Sequence, residues 1–323
     1  MKSLLLTVGT IFILTASSCG GKDNGSTPEV KIIRFDRDIA SYPQLDSSQR
    51  EEFRNRYSGV LMMTVGPDTI TDKAVETYAR GKAMTMFGPD IQQRFTTQDS
   101  IERVLTDASR VLSELLPSLN RKAIYGGVST YNQSILMTDT IMLVGLNHYL
   151  GADYPAYAYF ETYRRGVKTQ RHLPYDIIEA MIAGGYPYIE DENASLLNRM
   201  LYEGAVTYMV MKSIPDADLA EAMGYTPEQM QWINENEGNI WRHIIEQRYL
   251  YSTDRTLADR LCRPAPSSPA IHSDSPGRAG RYIGYRIVTA YMDSHPGYEA
   301  AQLLAPGFYN ATSSLIDAGY SPK

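Results

Sequence analysis

The chain has 323 residues, 43% of them hydrophobic, and a formal net charge of −6. That is enough apolar material for one large core or two small ones, and mild acidity without a basic block argues against a nucleic-acid-binding surface. The 24 tyrosines, apolar along the ring and polar at the tip, suit a wet cleft, a partner surface or a core of hydrogen-bonded hydroxyls.

Residues 1–18 read as a signal peptide: Lys2, an apolar run from Leu4 to Leu14, then small residues up to Cys19. The run is too short to stay in a bilayer as a permanent helix. Ala16-Ser17-Ser18-Cys19 resembles a bacterial lipobox, whose cysteine becomes the lipidated N-terminus and anchors the protein to the membrane; the alternative is an ordinary secretory peptide cut elsewhere. Residues 19–29 are polar and rich in Gly, Ser and Pro, a flexible tether. Within it Lys22-Asp23 partly resembles the surface-export signal of Bacteroidetes lipoproteins, interrupted by Asn24, so the membrane face stays open. Cys262 is the one other cysteine. The mature chain therefore has no intramolecular disulfide, and a spare thiol in an envelope protein is expected to be buried.

The folded part opens on a short alternating strand at 30–35, followed by Asp36-Arg-Asp38 as a charged exit. Helices are predicted over 48–57, capped by Ser47 or Ser48, and over 71–84, with Phe87-Gly-Pro as a break. The helix over 99–116 has the clearest stripe, with Ile101, Leu105, Ala108, Leu112 and Leu115 on one face. Strands follow at 122–131, 134–137 and 140–144, joined by polar turns at 132–133 and 138–139.

A helix pair comes next. Pro174 suits a first helical turn, Ile177, Ile178, Met181 and Ile182 recur at helical spacing, and Gly184-Gly185 ends the run. In the second helix Leu196, Met200, Glu203, Thr207 and Val210 share a stripe, which puts the Glu203 carboxylate on an apolar face where it needs a partner. Thr226, Pro227 and Gln229 start a further helix, with a break at Gly238 and an apolar face continuing to Leu250. Residues 262–280 form a Pro-rich loop of a length that usually has a function or faces a partner, and a helix through Met292 and short helices near 297–304 and 309–318 finish the chain. The expectation is an α+β protein, mainly α-helical. A small antiparallel sheet precedes the helix pair, within one domain over 30–323 that divides near residues 172 and 173.

For chemistry, no two of the five histidines lie four apart on a helix, as a His-Glu-x-x-His zinc site demands. His172 and Asp176 have the spacing, but Pro174 between them places His172 ahead of the helix, and His243 with Glu246 reads as a solvated face. No metal site and no cofactor is expected. There is no Gly-x-Ser-x-Gly elbow and no phosphate-cradling Gly-rich motif. Pro276-Gly-Arg-Ala-Gly-Arg-Tyr-Ile-Gly284 has two readings: an anion site through Arg278, Arg281 and a helix start, or a tight loop whose arginines pair with buried acids such as Glu203.

Five blocks then converge on a known family. Beside the lipobox, IIRFDRDI from Ile32, GLNHYLG at 145–151, GYTPEQMQWINENEGNIWRHIIEQRYLYS at 224–252, PAP at 264–266 and SPGRAGRYIGYRIVTAYM at 275–292 resemble the gliding-motility lipoprotein GldB family of Bacteroidetes, over nearly the whole mature chain. That family is more remotely similar to gluzincin-type zinc peptidases, in which a His-Glu-x-x-His helix precedes a Glu-Gly-x-Ala-x-Tyr helix. Glu203-Gly204-Ala205…Tyr208 approximately matches the second helix, while Tyr175-Asp-Ile-Ile-Glu179 stands where the histidines belong. The resemblance implies a zincin-like fold with a degenerate site, whose vestigial cleft would hold Asp176, Glu179, Glu203, Tyr208, Arg278 and Tyr282. It also implies a role in gliding machinery tied to type IX secretion, envelope protein partners and no catalysis. The rival reading is a hydrolase using Asp176 and Glu179 with Glu203.

Overall fold

A computed structural model describes residues 28–130 and 132–322; the signal peptide, Cys19 and most of the tether lie outside them. The N-terminal half begins with β1 (Ile32–Ile33), then α1 (Phe35–Ser41), α2 (Ser47–Arg56), α3 (Ser58–Thr64), α4 (Asp72–Ala79), α5 (Lys82–Arg94) and α6 (Asp99–Leu115). Strands β2 (Ala123–Gly127), β3 (Ile135–Met137) and β4 (Ile141–Gly145) follow. The C-terminal half holds α7 (Thr162–Gly166), α8 (Leu173–Gly185), α9 (Leu196–Ser213), α10 (Leu219–Met223), α11 (Pro227–Glu235) and α12 (Glu237–Glu246). It closes with α13 (Arg255–Cys262), α14 (Ala279–Ser294), α15 (Pro306–Tyr309) and α16 (Ser313–Ala318).

The chain is mainly helical with a small sheet, as expected, but the sheet is mixed rather than antiparallel. Its order is β1-β2-β4-β3. β1 and β4 both run parallel to β2, with Ile32 opposite Ile124 and Leu143 opposite Tyr125, while β3 and β4 form the one antiparallel pair. The turn at 138–139 makes the hairpin that the sequence predicts. The segment after β2 instead carries the chain past β4 to the far edge, because the apolar β4, buried from Met142 to Gly145, takes the central place.

Other differences have local causes. Asp36 belongs to α1 and is buried, held by a forked Arg34 ion pair at 2.7 Å and by Gln92. Asp46, not a serine, caps α2 through a reciprocal pair with Gln49. The chain breaks at Gly81 rather than at Phe87-Gly-Pro, and α5 runs through Pro89 because Met84 and Ile91 are buried on its inner face; that packing outweighs one missing N–H. The later break falls at Asn236, and Gly238 lies inside α12.

Helix α9 is the axis of the C-terminal half. It is buried on most sides, from Leu196 to Ser213, as a helix with few polar positions must be. Its main neighbour is α14, and the two backbones touch. A Cβ on Gly204 would collide with the Gly284 carbonyl, and one on Gly284 with the Met200 carbonyl. Thus the Gly204 and Gly284 of the two motifs are where the helices cross. Cys262 packs against Gly280, one turn before Gly284, reduced and buried, and burial pushes its thiol pKa well up. Tyr42, Tyr149, Tyr282 and Tyr309 are fully buried, so much of the tyrosine excess is core. Among the described residues no helix is long and apolar enough to cross a membrane.

Candidate functional site

Helices α8, α9 and α14 bring the predicted acids together and neutralise each one. Glu179 on α8 receives both arms of Arg281 from α14, at 2.8 and 2.7 Å, and the same guanidinium donates to Thr207 Oγ1 on α9 at 2.7 Å. Glu203 is held by Arg199 one turn away at 2.9 Å, with Arg281 at 4.0 Å on its other side. The sequence reading that arginines of this loop pair with buried acids is therefore how the structure uses Arg281. Burial alone would raise the Glu179 pKa, but the Arg281 charge outweighs it and the net direction is down. The mirror effect holds Arg281 firmly charged.

Asp176 has a separate set of partners. Tyr149 donates to it at 2.7 Å, and His172 Nε2 lies 3.3 Å away, with His172 Nδ1 3.0 Å from Glu221. His172 is the N-cap residue of α8, just ahead of the helix as Pro174 implies, and it still reaches Asp176. Burial would lower the imidazole pKa, but the two carboxylates raise it to about 9. An imidazolium has no lone pair to offer a metal. Together with the missing histidines and the arginine-bound acids, the donor set here does not fit zinc, and among the described residues no three His, Cys, Asp or Glu side chains converge to hold an ion.

Two candidates make their contacts elsewhere. Tyr282 is buried against Asn234 and Glu237 at 2.9 and 3.1 Å. Tyr208 lies under the Lys212 ammonium, 5.3 Å from its ring centre. His243 Nε2 donates to the Ala270 carbonyl at 2.9 Å rather than standing on an open solvated face.

The open space lies next to this charge network. A cavity of about 700 Å³ is walled by residues that include His148, Lys168, Tyr225, Gln229, Pro264 and Arg278. Of the residues singled out from the sequence as cleft candidates, Arg278 alone lines it. Its guanidinium donates to the Met223 carbonyl at 3.0 Å, while its Nε is buried without a partner. Tyr225 donates to the Gly277 carbonyl at 2.6 Å and pins the 263–278 loop against the start of α11. On the opposite wall His148 Nε2 bonds the Thr130 carbonyl and Nδ1 accepts from Lys168 at 2.9 Å. Burial first, then the Lys168 charge, lowers the His148 pKa to about 4, so the ring is neutral. Burial lowers Lys168 to about 8.

Lys168 was not legible from sequence, because it sits outside every motif. His148 was present in GLNHYLG, without a spacing to announce it. What the sequence did contain is the set of blocks. GLNHYLG contributes His148, GYTPEQ contributes Gly224, Tyr225 and Gln229, PAP contributes Pro264 and Ala265, and SPGR contributes Gly277 and Arg278, all to this one cavity.

A family model described as gliding motility protein GldB matches residues 21–322. The chain belongs to the GldB family. The match points to a gliding-motility-associated lipoprotein of the cell envelope. No curated protein and no solved structure matches the chain. Within this GldB-family fold, four of the blocks that carry the resemblance thus meet at one cavity.

Proposed function

We propose that this GldB-family protein is a non-catalytic component of the gliding or type IX secretion machinery, held by lipidated Cys19 at the outer membrane, and that it binds a protein or peptide segment in the cavity beside Arg278. The observation that carries this reading is the meeting of four separated family blocks around a single cavity of about 700 Å³, a size suited to a ligand. The absence of catalysis is supported by the acids. Asp176, Glu179 and Glu203 are each engaged by hydrogen-bonded partners and none of them lines the cavity, whereas a general base must lie within hydrogen-bond reach of the proton it takes. The frame of α8 and α9, with Glu203-Gly204-Ala205 on the second helix, is consistent with a zincin-like ancestry in which the metal ligands have gone.

The test is metal analysis of the purified protein together with peptide-cleavage assays. Stoichiometric zinc with cleavage abolished by Glu203→Gln overturns the non-catalytic reading. Crosslinking of the native protein at cavity positions, read by mass spectrometry, is expected to recover envelope proteins; recovery of none that depends on a cavity residue overturns the binding role.

A further inference from the structure

The chain carries −6 overall, yet the cavity wall contains Arg164, Lys168, Arg263 and Arg278. Arg164 and Arg263 are ion-paired with Glu161 and Asp259 at 3.8 and 2.8 Å. Lys168 and Arg278 are built into the wall. The Lys168 ammonium is fixed 2.9 Å from neutral His148 and 4.5 Å from the centre of the Phe160 ring, so its partners are an imidazole and a π-face rather than a carboxylate. Arg278 is held from one side by the Met223 carbonyl.

The fork of Arg278 is incompletely used. A buried guanidinium N–H without an acceptor is destabilising, and Arg278 Nε is in that position. The residue also adopts a left-handed backbone, φ 62°, which a non-glycine residue tolerates at a cost. It is the N-cap of α14, a helix of 16 residues, so the positive end of that helix dipole faces the same wall. Asp176 and Glu179 are near enough for their charges to be felt at Arg278, and Arg281 opposes them, but both carboxylates spend their hydrogen-bonding on Tyr149, His172 and Arg281. Arg278 is left to serve the cavity.

The shape indicates what the anion belongs to. A phosphate ion is only a few times the ~30 Å³ of a water molecule and would leave most of the space empty. The cavity continues into a second depression of about 680 Å³ that shares Tyr163, Val167, Gly224, Tyr225 and Gln229 with it. The acids on that side are already paired, Glu161 with Arg164 and Glu221 with His172 and Arg171. The result is an extended groove whose length suits a peptide lying along it, with a carboxylate in the inner pocket beside Lys168 and Arg278.

We propose that the inner pocket binds a peptide carboxylate, with Arg278 as the forked donor and Lys168 as the point charge. This rests on the peptide-binding reading above and adds the chemistry of its ligand. A carboxylate accepting from the Arg278 guanidinium can take the fork–fork geometry that this group favours.

The experiment uses the full-length protein in detergent and fluorescence anisotropy with labelled pentaalanine. One probe ends in a free carboxylate, one in an amide, and one is amidated with a central glutamate; inorganic phosphate is the competitor. The expected result is about tenfold tighter binding of an acid-bearing probe than of the neutral amide, weakening as salt rises. Whether the free terminus or the internal glutamate wins identifies the source of the carboxylate, and either outcome supports the proposal. Arg278→Gln and Lys168→Gln, each checked for fold by circular dichroism, should lose the preference, and Lys168→Arg should retain it. Equal binding of acid and amide probes overturns the carboxylate assignment and leaves a peptide groove standing. Binding of no probe overturns both readings. Full displacement by phosphate at probe concentration, or folded variants that keep the preference, also overturns the proposal.

Discussion

Replacing Arg281 by Met should destabilise the protein by about 3 kcal/mol, because a buried ion pair that loses one member typically costs about 3–5 kcal/mol. Arg281 is 3% exposed and makes two hydrogen bonds to Glu179 and one to Thr207. Methionine keeps an apolar stem like that of arginine but removes the guanidinium that reaches both Glu179 and Glu203. Glu179 keeps 31% of its side chain exposed, so water recovers part of the loss, which sets the expectation at the lower end of that range. The assay is urea unfolding followed by far-UV circular dichroism, with the wild type and variant compared at their midpoints. Adding Glu179→Gln to the Arg281→Met background should restore at least half of the loss, since the stranded charge is removed. A loss below about 1 kcal/mol, or no recovery in the double variant, would show that this network does not hold the three helices together.

Gly284→Ala should destabilise by roughly 1–3 kcal/mol or more, since the added methyl meets the Met200 carbonyl; an unchanged melting temperature would remove the close-crossing argument. The His172 contribution has a definite pH window. A folded pKa raised to about 9 gives stability that is complete below the unfolded value near 6.5 and is lost as pH rises through 9. Urea midpoints measured from pH 6 to 10 should fall across that window, and His172→Gln should flatten the slope; an identical slope in the variant refutes the assignment. The depressed carboxyl of Glu179 works the other way, giving stability present above its unfolded value near 4.3 and lost as pH falls through its folded pKa. Cys19→Ser should leave the protein unlipidated and soluble, and its persistence in the detergent-extracted membrane fraction would count against lipid anchoring.

The amino-acid sequence by itself determined the pieces that depend on local physics. Pro174 at a first turn, the Thr226–Gln229 capping box and the stripe on α6 rest on interactions within a few residues, and short-range geometry is what periodicity reports. The inward acid at Glu203 was equally legible, because an apolar stripe leaves only one direction for it to point. Only the tertiary structure decided which cation each acid receives. Arg281 and Glu179 lie 102 positions apart, and no spacing rule links them. Strand order was likewise undetermined, because alternation states which face is buried and not which strand is the neighbour. The same limit hid the cavity. Lys168 and His148 belong to segments that meet Arg278 only when α14 crosses α9 at Gly204 and Gly284, so the chemistry of the pocket is a product of helix packing between distant parts of the chain.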